Sequence, residues 1–208
     1  MIAIIDYEAG NLTSVLRAVS HIGFDCKITK NIKEIENAER IIFPGVGEAG
    51  ASMNNLNETG VGNAIVNAYH SGKPVLGICV GCQIILSRSD ESDTTCLGLL
   101  KGNVLRFPSD MKDEAGHALK IPHMGWNAIS IVKDHPIFKG IKPEDAVYFV
   151  HSYYPVPEDD GNVLAKTNYG ITFSSVIGRD NLVATQFHLE KSGKPGLAML
   201  KNFCEWKI

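Results

Sequence analysis

A cysteine flanked by glycines is the residue of this sequence best placed to do chemistry. Residues 77–81 read Gly-Ile-Cys-Val-Gly, between an apolar run that predicts a buried strand and a helical pattern that begins directly afterwards. In such a strand–turn–helix elbow, larger side chains at the two glycine positions would collide with neighbouring strands. The turn projects the Cys79 thiol above the sheet edge, at a helix N-terminus that favours the thiolate. We therefore predict that Cys79 is a nucleophile and not merely a buried cysteine.

The same thiol belongs to a Cys-x-x-Cys pattern with Cys82, which admits a redox function. One helical turn separates the two sulfurs, so we expect Cys82 to face the core beneath the elbow. Thioredoxin-like proteins have a different strand order and usually carry a proline or an aromatic residue between the cysteines. The nucleophile is therefore the favoured interpretation.

A thiolate nucleophile needs a base, and the base needs an acceptor that orients it. The segment 186–190, Gln-Phe-His-Leu-Glu, supplies both at the end of the last predicted strand. His188 and Glu190 are two residues apart and so fall on one side of an extended chain. They complete a predicted Cys-His-Glu triad. For histidines 21, 70, 117, 123 and 135 we expect a surface position and no metal-ligand role.

The oxyanion of the reaction needs N–H donors close to the thiol. The Gly-rich loop after the third predicted strand lets the backbone approach a substrate closely. We predict that the donors come from Gly45 and Val46 of this loop and from Val80.

The elements around these residues predict an α/β fold. Apolar runs alternate with helical patterns over the first 90 residues, which indicates βαβ units and a mostly parallel sheet flanked by helices. The strands predicted there are 2–5, 26–29, 40–44 and 75–78, and the helices are near 12–22, 63–70 and 81–88. Six later segments predict an added antiparallel β section: 103–107, 126–132, 147–150, 163–166, 173–177 and 183–187. A last helix follows Pro195, and residues 1–208 read as a single domain.

The composition argues against several classes of protein. A net charge of −3 is unlike the basic excess of a nucleic-acid-binding domain. No apolar run approaches the roughly 20 residues needed to span a membrane. Five scattered cysteines indicate free thiols in a reducing compartment. Because an acid follows the short apolar start, we expect no signal peptide and a cytoplasmic protein.

Together these residues resemble the class I (triad-type) glutamine amidotransferases, over essentially the whole chain. The matching motifs are the elbow Cys79-Val-Gly-Cys-Gln83, the oxyanion loop 44–47 and the pair His188-x-Glu190. Within that family, segments 5–11, 122–127 and 148–153 look specifically like the glutaminase subunits of imidazole glycerol phosphate synthases, which work in histidine biosynthesis.

The resemblance implies hydrolysis of L-glutamine to glutamate and ammonia, with no metal or organic cofactor. It implies a heterodimer with a (β/α)8-barrel cyclase, which uses the ammonia to make imidazole glycerol phosphate and AICAR. The residues implied in glutamine binding are Gln83, Glu91 and the backbone of His151, Ser152 and Tyr153. Those implied in partner contact are Asn11, Trp126, Asn127, Tyr148 and Lys191.

The chain departs from the family pattern at three positions, and three other functions stay open. Glu8 replaces a common glycine, Leu189 a common proline, and Cys82 an apolar residue, usually Met. The first alternative is a paralogous amidotransferase that feeds another synthase, such as one that amidates a sugar. The second is a stand-alone cysteine hydrolase, which would not need Gln83 or Trp126. The third is a non-catalytic binding subunit.

Overall fold

Strands and helices alternate through the first 84 residues, and strands dominate the remainder up to a C-terminal helix. The computed structural model describes residues 1–8 and 10–208; Ala9, inside the matching segment 5–11, lies outside the described residues. Within them the strands are β1 (Ile2–Ile5), β2 (Cys26–Thr29), β3 (Arg40–Gly45), β4 (Val75–Cys79), β5 (Arg88–Ser89), β6 (Thr94–Thr95), β7 (Gly102–Arg106), β8 (His123–Ala128), β9 (Ser130–Ile131), β10 (Ala146–His151), β11 (Tyr153–Pro157), β12 (Val163–Tyr169), β13 (Ile171–Arg179) and β14 (Leu182–Thr185). The α-helices are α1 (Leu12–His21), α2 (Ile32–Asn37), α3 (Ala49–Thr59), α4 (Val61–His70), α5 (Val80–Ile84) and α6 (Gly193–Glu205).

The main sheet is parallel at its centre and antiparallel at one side. Its strand order is β2-β1-β3-β4-β14-β13-β12-β9, in which β2 through β14 are parallel and β13, β12 and β9 are antiparallel. Two smaller sheets, β10-β8 and β11-β7-β5-β6, complete the antiparallel section. The predicted α/β class, with its added antiparallel strands, is confirmed.

The central strands are apolar because helices cover both faces of the sheet. Every residue of β1, β4 and β14 is buried, as is typical of parallel strands packed on both sides. The chain runs from β1 outward to β2 and then back to β3, so right-handed crossovers place α1 and α2 on opposite faces. Accordingly α1 contacts α6, whereas α4 contacts α2 and α3, and α3 contacts α5.

Several predicted elements differ from the structure. The predicted strand 126–132 is two strands, β8 and β9, because Ile129 between them turns into the core. The predicted helix 81–88 ends at Ile84, since residues 88–89 pair with β7 and β6. Helix α3, with few apolar residues, was not predicted. Helix α2 was also missed, although the Asn31 side chain caps it by accepting from the backbone N–H groups of Lys33 and Glu34.

The elbow between β4 and α5 is packed so tightly that glycine is required on both sides of Cys79. A Cβ atom at Gly81 would overlap the carbonyl oxygen of Phe43 in the adjacent strand. A Cβ atom at Gly77 would lie 2.9 Å from the carbonyl oxygen of Gly81 and 3.0 Å from the Cβ of Ala184. The predicted collision with neighbouring strands is therefore observed at both glycines.

The first prediction tests this packing with two helical glycines. Gly81→Ala should lower the free energy of unfolding by about 3 kcal/mol or prevent folding, because a backbone carbonyl in a central strand has little room to shift. Gly62→Ala is the matched control: its added Cβ would make an ordinary 3.4 Å contact with Leu56. That variant should keep or slightly raise the stability. Urea unfolding measures both, and equal stabilities would contradict the packing argument.

Candidate active site

Cys79 ends β4 and begins α5 in a conformation that few residues other than glycine adopt. Its φ is 55° and its ψ is −108°, and such a backbone costs on the order of 1–3 kcal/mol. It pairs in register with Gly45 at the end of β3, and its side chain is 5% exposed. The strand ends thus bring the thiol and the Gly-rich loop together.

His188 and Glu190 form a buried pair beside this thiol. Nδ1 of His188 lies 2.7 Å from Oε1 of Glu190, and the two side chains are 2% and 1% exposed. The side chain of Asn11 donates a hydrogen bond to the same Glu190 oxygen. A short 3-10 turn, Leu189–Lys191, begins just after His188 and folds Glu190 back toward the ring. This geometry fixes Nδ1 as the protonated nitrogen, because a carboxylate is an acceptor only.

The environment of His188 favours its charged form. Burial alone disfavours the imidazolium and lowers the pKa of His188. Hydrogen bonds to Cys79 and Glu190, together with the negative charges of those two groups, outweigh burial and raise this pKa to about 9. By strict geometry, Nε2 of His188 has no hydrogen-bond partner among the described residues. The thiol of Cys79 and the imidazole of His188 are therefore neighbours that are poorly aligned for a hydrogen bond, a common arrangement in catalytic pairs without substrate.

A cavity of about 280 Å³ opens over the thiol and the imidazole. Its walls come from the loop after β3, the elbow, the segment after β5 and the junction of β10 with β11. The lining residues are Val46, Gly47, Cys79, Val80, Gln83, Glu91, Pro122, Val150, His151, Ser152, Tyr153 and His188. The volume suits a small polar molecule of amino-acid size.

One acid and one buried amide give this cavity its polar ends. Burial raises the pKa of Glu91, and its Oε2 accepts a 2.7 Å hydrogen bond from the backbone N–H of Ala49. Gln83 is buried, and its Nε2 donates to the carbonyl oxygen of Tyr153 and to Oε1 of Gln186, both at 3.0 Å. The cavity can therefore offer a carboxylate and an amide oxygen to a ligand.

Comparison with known proteins agrees with this geometry. The family model described as "Glutamine amidotransferase class-I" matches residues 3–206. The chain belongs to the class I glutamine amidotransferases. It is 50% identical over 99% of its length to the imidazole glycerol phosphate synthase subunit HisH of Desulfovibrio desulfuricans, covering 94% of that protein. It is 49% identical over 98% of its length to the subunit of the same name from Nitratidesulfovibrio vulgaris, covering 95%.

Solved structures share the fold at lower identity. The structure of PurLQS from Thermotoga maritima superposes with a TM-score of 0.71 and 18% identity. The superposition covers 98% of the present chain and 96% of the PurLQS chain. At such identity the likeness concerns the fold alone.

The structure brings all the predicted substrate residues, and two of the three predicted oxyanion residues, into one cavity. Gln83, Glu91 and the segment 151–153 all line it, as do Val46 and Val80 of the predicted oxyanion site. Gly45 does not: it is buried under the hydroxyl group of Tyr7, and Gly47 lines the cavity in its place.

Four of the five predicted partner residues lie together on a surface that reaches the triad. Trp126 is 58% exposed and packs edge-on against Tyr148, with ring centroids 6.0 Å apart. The ammonium group of Lys191 lies 6.0 Å from the Tyr148 ring centroid. Asn11 binds Glu190 directly. Asn127 follows Trp126 on β8, so its side chain lies on the opposite face of that strand, where it donates to the carbonyl oxygen of Asn168 and lies 3.5 Å from Nε2 of His123. We call Asn11, Trp126, Tyr148 and Lys191 the outer cluster.

Three residues near the site were not predicted to have a role there. Gln186 is fully buried, with its Nε2 3.9 Å from the sulfur of Cys79. Tyr7 is fully buried over Gly45, where burial and then the charge of Cys79 raise its pKa. His123 was expected at the surface but is 3% exposed, which corrects that prediction. It stacks between Phe149 and Tyr169 in strands distant along the sequence, so no local pattern signals its burial.

Two further observations concern other kinds of site. In residues 1–8 and 10–208 no group of three or more His, Cys, Asp or Glu side chains is arranged to hold a metal ion. None of the helices in those ranges combines the length and the apolar character that crossing a membrane requires.

The second prediction follows from the neutral histidines of the site. Burial lowers the pKa of His123 to about 4 and that of His151 to about 3. Between those values and the ordinary pKa of about 6.5 the unfolded chain binds more protons than the folded one, so acid favours unfolding. The contribution of these two neutral histidines to the free energy of unfolding is complete above about pH 6.5. It should be lost progressively as the pH falls toward 4.

Urea unfolding at pH 7, 6 and 5 measures this loss. His123→Phe keeps a ring between Phe149 and Tyr169 but removes one titrating site, so its stability should depend less steeply on pH. Measurement at pH 8 gives the effect of the substitution itself. The same slope in both proteins would show that His123 does not titrate in this way.

Proposed function

We propose that residues 1–208 act as one glutamine amidotransferase domain that hydrolyses L-glutamine to glutamate and ammonia. Cys79 is the nucleophile, His188 the base and Glu190 its orienting acceptor. The observation that carries the proposal is a strained, cavity-lining thiol beside a buried His–Glu pair. A thiol, an imidazole and a carboxylate in that order are the parts that acyl transfer from an amide requires.

The reaction follows from these positions. The Cys79 thiolate attacks the carboxamide carbon of glutamine, and the resulting oxyanion is stabilised by the backbone N–H groups of Val46 and Val80. The imidazolium of His188 donates its Nε2 proton to the leaving nitrogen, so ammonia departs and a γ-glutamyl thioester remains. His188 then removes a proton from water, which attacks the thioester and releases glutamate and the thiol. Glu190 keeps the imidazole in one tautomer throughout.

The cavity walls suit the head group of glutamine. Glu91 offers a carboxylate to the α-ammonium group, in agreement with the role that the family resemblance implies. Gln83 presents its Oε1 toward the cavity, because its Nε2 is already used by Tyr153 and Gln186. The backbone of 151–153 completes the same wall.

We further propose that the ammonia is used by a partner subunit in the cytoplasm. The relatives at 50% and 49% identity carry the name of a synthase subunit, which supports the histidine-pathway role over a paralogous pathway. The partner is then a (β/α)8-barrel cyclase that forms imidazole glycerol phosphate and AICAR. Its docking surface on this chain is the outer cluster.

The third prediction separates the two cysteines of the elbow. Cys79→Ala should abolish glutamine hydrolysis, because Cys79 has the only thiol that lines the cavity among the described residues. Cys82→Ala removes a fully buried sulfur and should retain most of the activity. Glutamate release measures both variants, and synthesis by the complex supplied with an ammonium salt checks that Cys79→Ala remains folded and assembled. Hydrolysis by purified Cys79→Ala would refute the proposed nucleophile.

The fourth prediction concerns control by the partner. The outer cluster touches the triad, since Asn11 binds Glu190 and the carbonyl oxygen of Tyr148 accepts from the backbone N–H of His188 at 3.0 Å. Gly47, with φ of +100°, gives the oxyanion loop a peptide that can rotate at low steric cost. One re-aimed oxyanion donor changes the rate by about 10²- to 10³-fold. We expect slow hydrolysis by the isolated chain and a rise of that order in the ligand-bound complex.

The measurement is steady-state glutamine hydrolysis by the chain alone, with the cyclase, and with the cyclase and its own substrate. Equal rates in all three would favour a stand-alone hydrolase. Trp126→Ala should weaken assembly, whereas Val156→Ala, an exposed apolar residue on β11 outside the outer cluster, serves as the matched control.

A further inference from the structure

A buried amide lies directly against the nucleophile. Gln186 is 0% exposed, and its Nε2 approaches the sulfur of Cys79 at 3.9 Å, within the range of a hydrogen bond to sulfur. The backbone N–H of Gln186 donates to the carbonyl oxygen of Ser175 at 2.9 Å, which holds the residue at the end of the sheet. The reaction proposed above gives this side chain no task.

One backbone carbonyl determines which way this amide points. The carbonyl oxygen of Tyr153 accepts only, so the atom of Gln83 that faces it at 3.0 Å must be the nitrogen. That nitrogen also lies 3.0 Å from Gln186, so the Gln186 atom facing it must be the oxygen. The remaining group of Gln186, its NH₂, is then the one directed at Cys79. The hydrogen bonds from Tyr153 through Gln83 to Gln186 therefore determine that an NH₂ group faces the sulfur of Cys79.

The same carbonyl is also held from the other side by two histidines. Nδ1 of His151 donates to it at 2.7 Å, and Nε2 of His151 lies 3.0 Å from Nδ1 of His123. The donation to the carbonyl leaves Nε2 of His151 as an acceptor, so His123 carries its proton on Nδ1. Nε2 of His123 then faces the side-chain amide of Asn127 at 3.5 Å. The two neutral rings thus fix the carbonyl that orients both glutamines.

We infer that Gln186 is a positioning residue for Cys79: its amide donates to the sulfur and stabilises the thiolate, with Gln83 and the His151–His123 pair fixing its direction. The inference rests on the proposed role of Cys79 as nucleophile. A hydrogen bond to a charged acceptor is stronger than one to a neutral acceptor. The contact therefore strengthens when the thiol ionises, which is the step that prepares the attack.

Alkylation of the thiol tests this without glutamine. The rate of Cys79 modification by iodoacetamide is followed from pH 5 to 9 by mass spectrometry of the peptide that contains it. The titratable groups that face this sulfur and stay unchanged are His188, Tyr7 and Cys82. Gln186→Met keeps the length but removes the donor, so the pH midpoint should rise by about one unit, a tenfold loss of thiolate at a given pH.

Matched variants separate positioning from packing. Ser175→Ala removes a fully buried hydroxyl group that has no hydrogen-bond partner among the described residues, so the midpoint should not move. Gln186→Glu keeps the shape of the side chain and replaces the amide donor by an acid, so the pH midpoint of Cys79 alkylation should rise at least as far as in Gln186→Met. Gln186→Glu also provides the test if Gln186→Met does not fold. His123→Phe should raise the midpoint by a smaller amount, and less than additively when combined with Gln186→Met.

The outcomes distinguish this inference from the proposed function. An unchanged midpoint in folded Gln186→Met and Gln186→Glu would overturn it, even if the wild-type chain hydrolyses glutamine. A shift in both, with none in Ser175→Ala, would support it, even if hydrolysis were absent. A loss of thermal stability without a shift would assign Gln186 a packing role only and would also overturn it.

Discussion

The site depends on the close contact of three strand ends around one strained residue. The backbone of Cys79 adopts a positive φ because β3, β4 and β14 lie edge to edge, with α5 beginning immediately above them. A side chain at Gly77 or Gly81 would reopen this contact, and one at Gly45 would meet Tyr7 and Val80. The fully buried parallel core therefore holds a conformation that the isolated segment would leave. The thiol faces the cavity as a consequence.

A second consequence of this packing is that the triad lies against the outer cluster. His188 receives its backbone support from Tyr148 on β10, whose ring packs against Trp126 and beneath Lys191. Glu190 is held by Asn11 at the start of α1. The orientation of the His188 ring therefore depends on the same residues that we propose to meet a partner. A partner bound there would act on the positions of His188 and Glu190 without a change in the central sheet.

The sequence predicted those parts of the site that depend on short spacings. Gly77-Ile-Cys-Val-Gly81 and His188-x-Glu190 each lie within five residues, and an apolar run or a turn next to each indicates the strand end. Gln186 was missed because its partner, Gln83, is 103 positions away and the contact exists only once β4 and β14 pair. His123 and His151 meet through the register of β8 with β10. Helix α3 was missed because its few apolar residues left little periodic signal.

Three histidines close to this cavity show how environment assigns roles to one residue type. Burial without a charged partner leaves His151 and His123 neutral, with pKa values of about 3 and 4. His188 is buried too, but the thiol and the carboxylate beside it reverse the effect and raise its pKa to about 9. A group with a pKa near 3 is too weak a base to remove a proton from a thiol or from water at neutral pH. His151 lines the same cavity, but its low pKa makes it unsuitable as the base, which supports the proposed assignment of that role to His188.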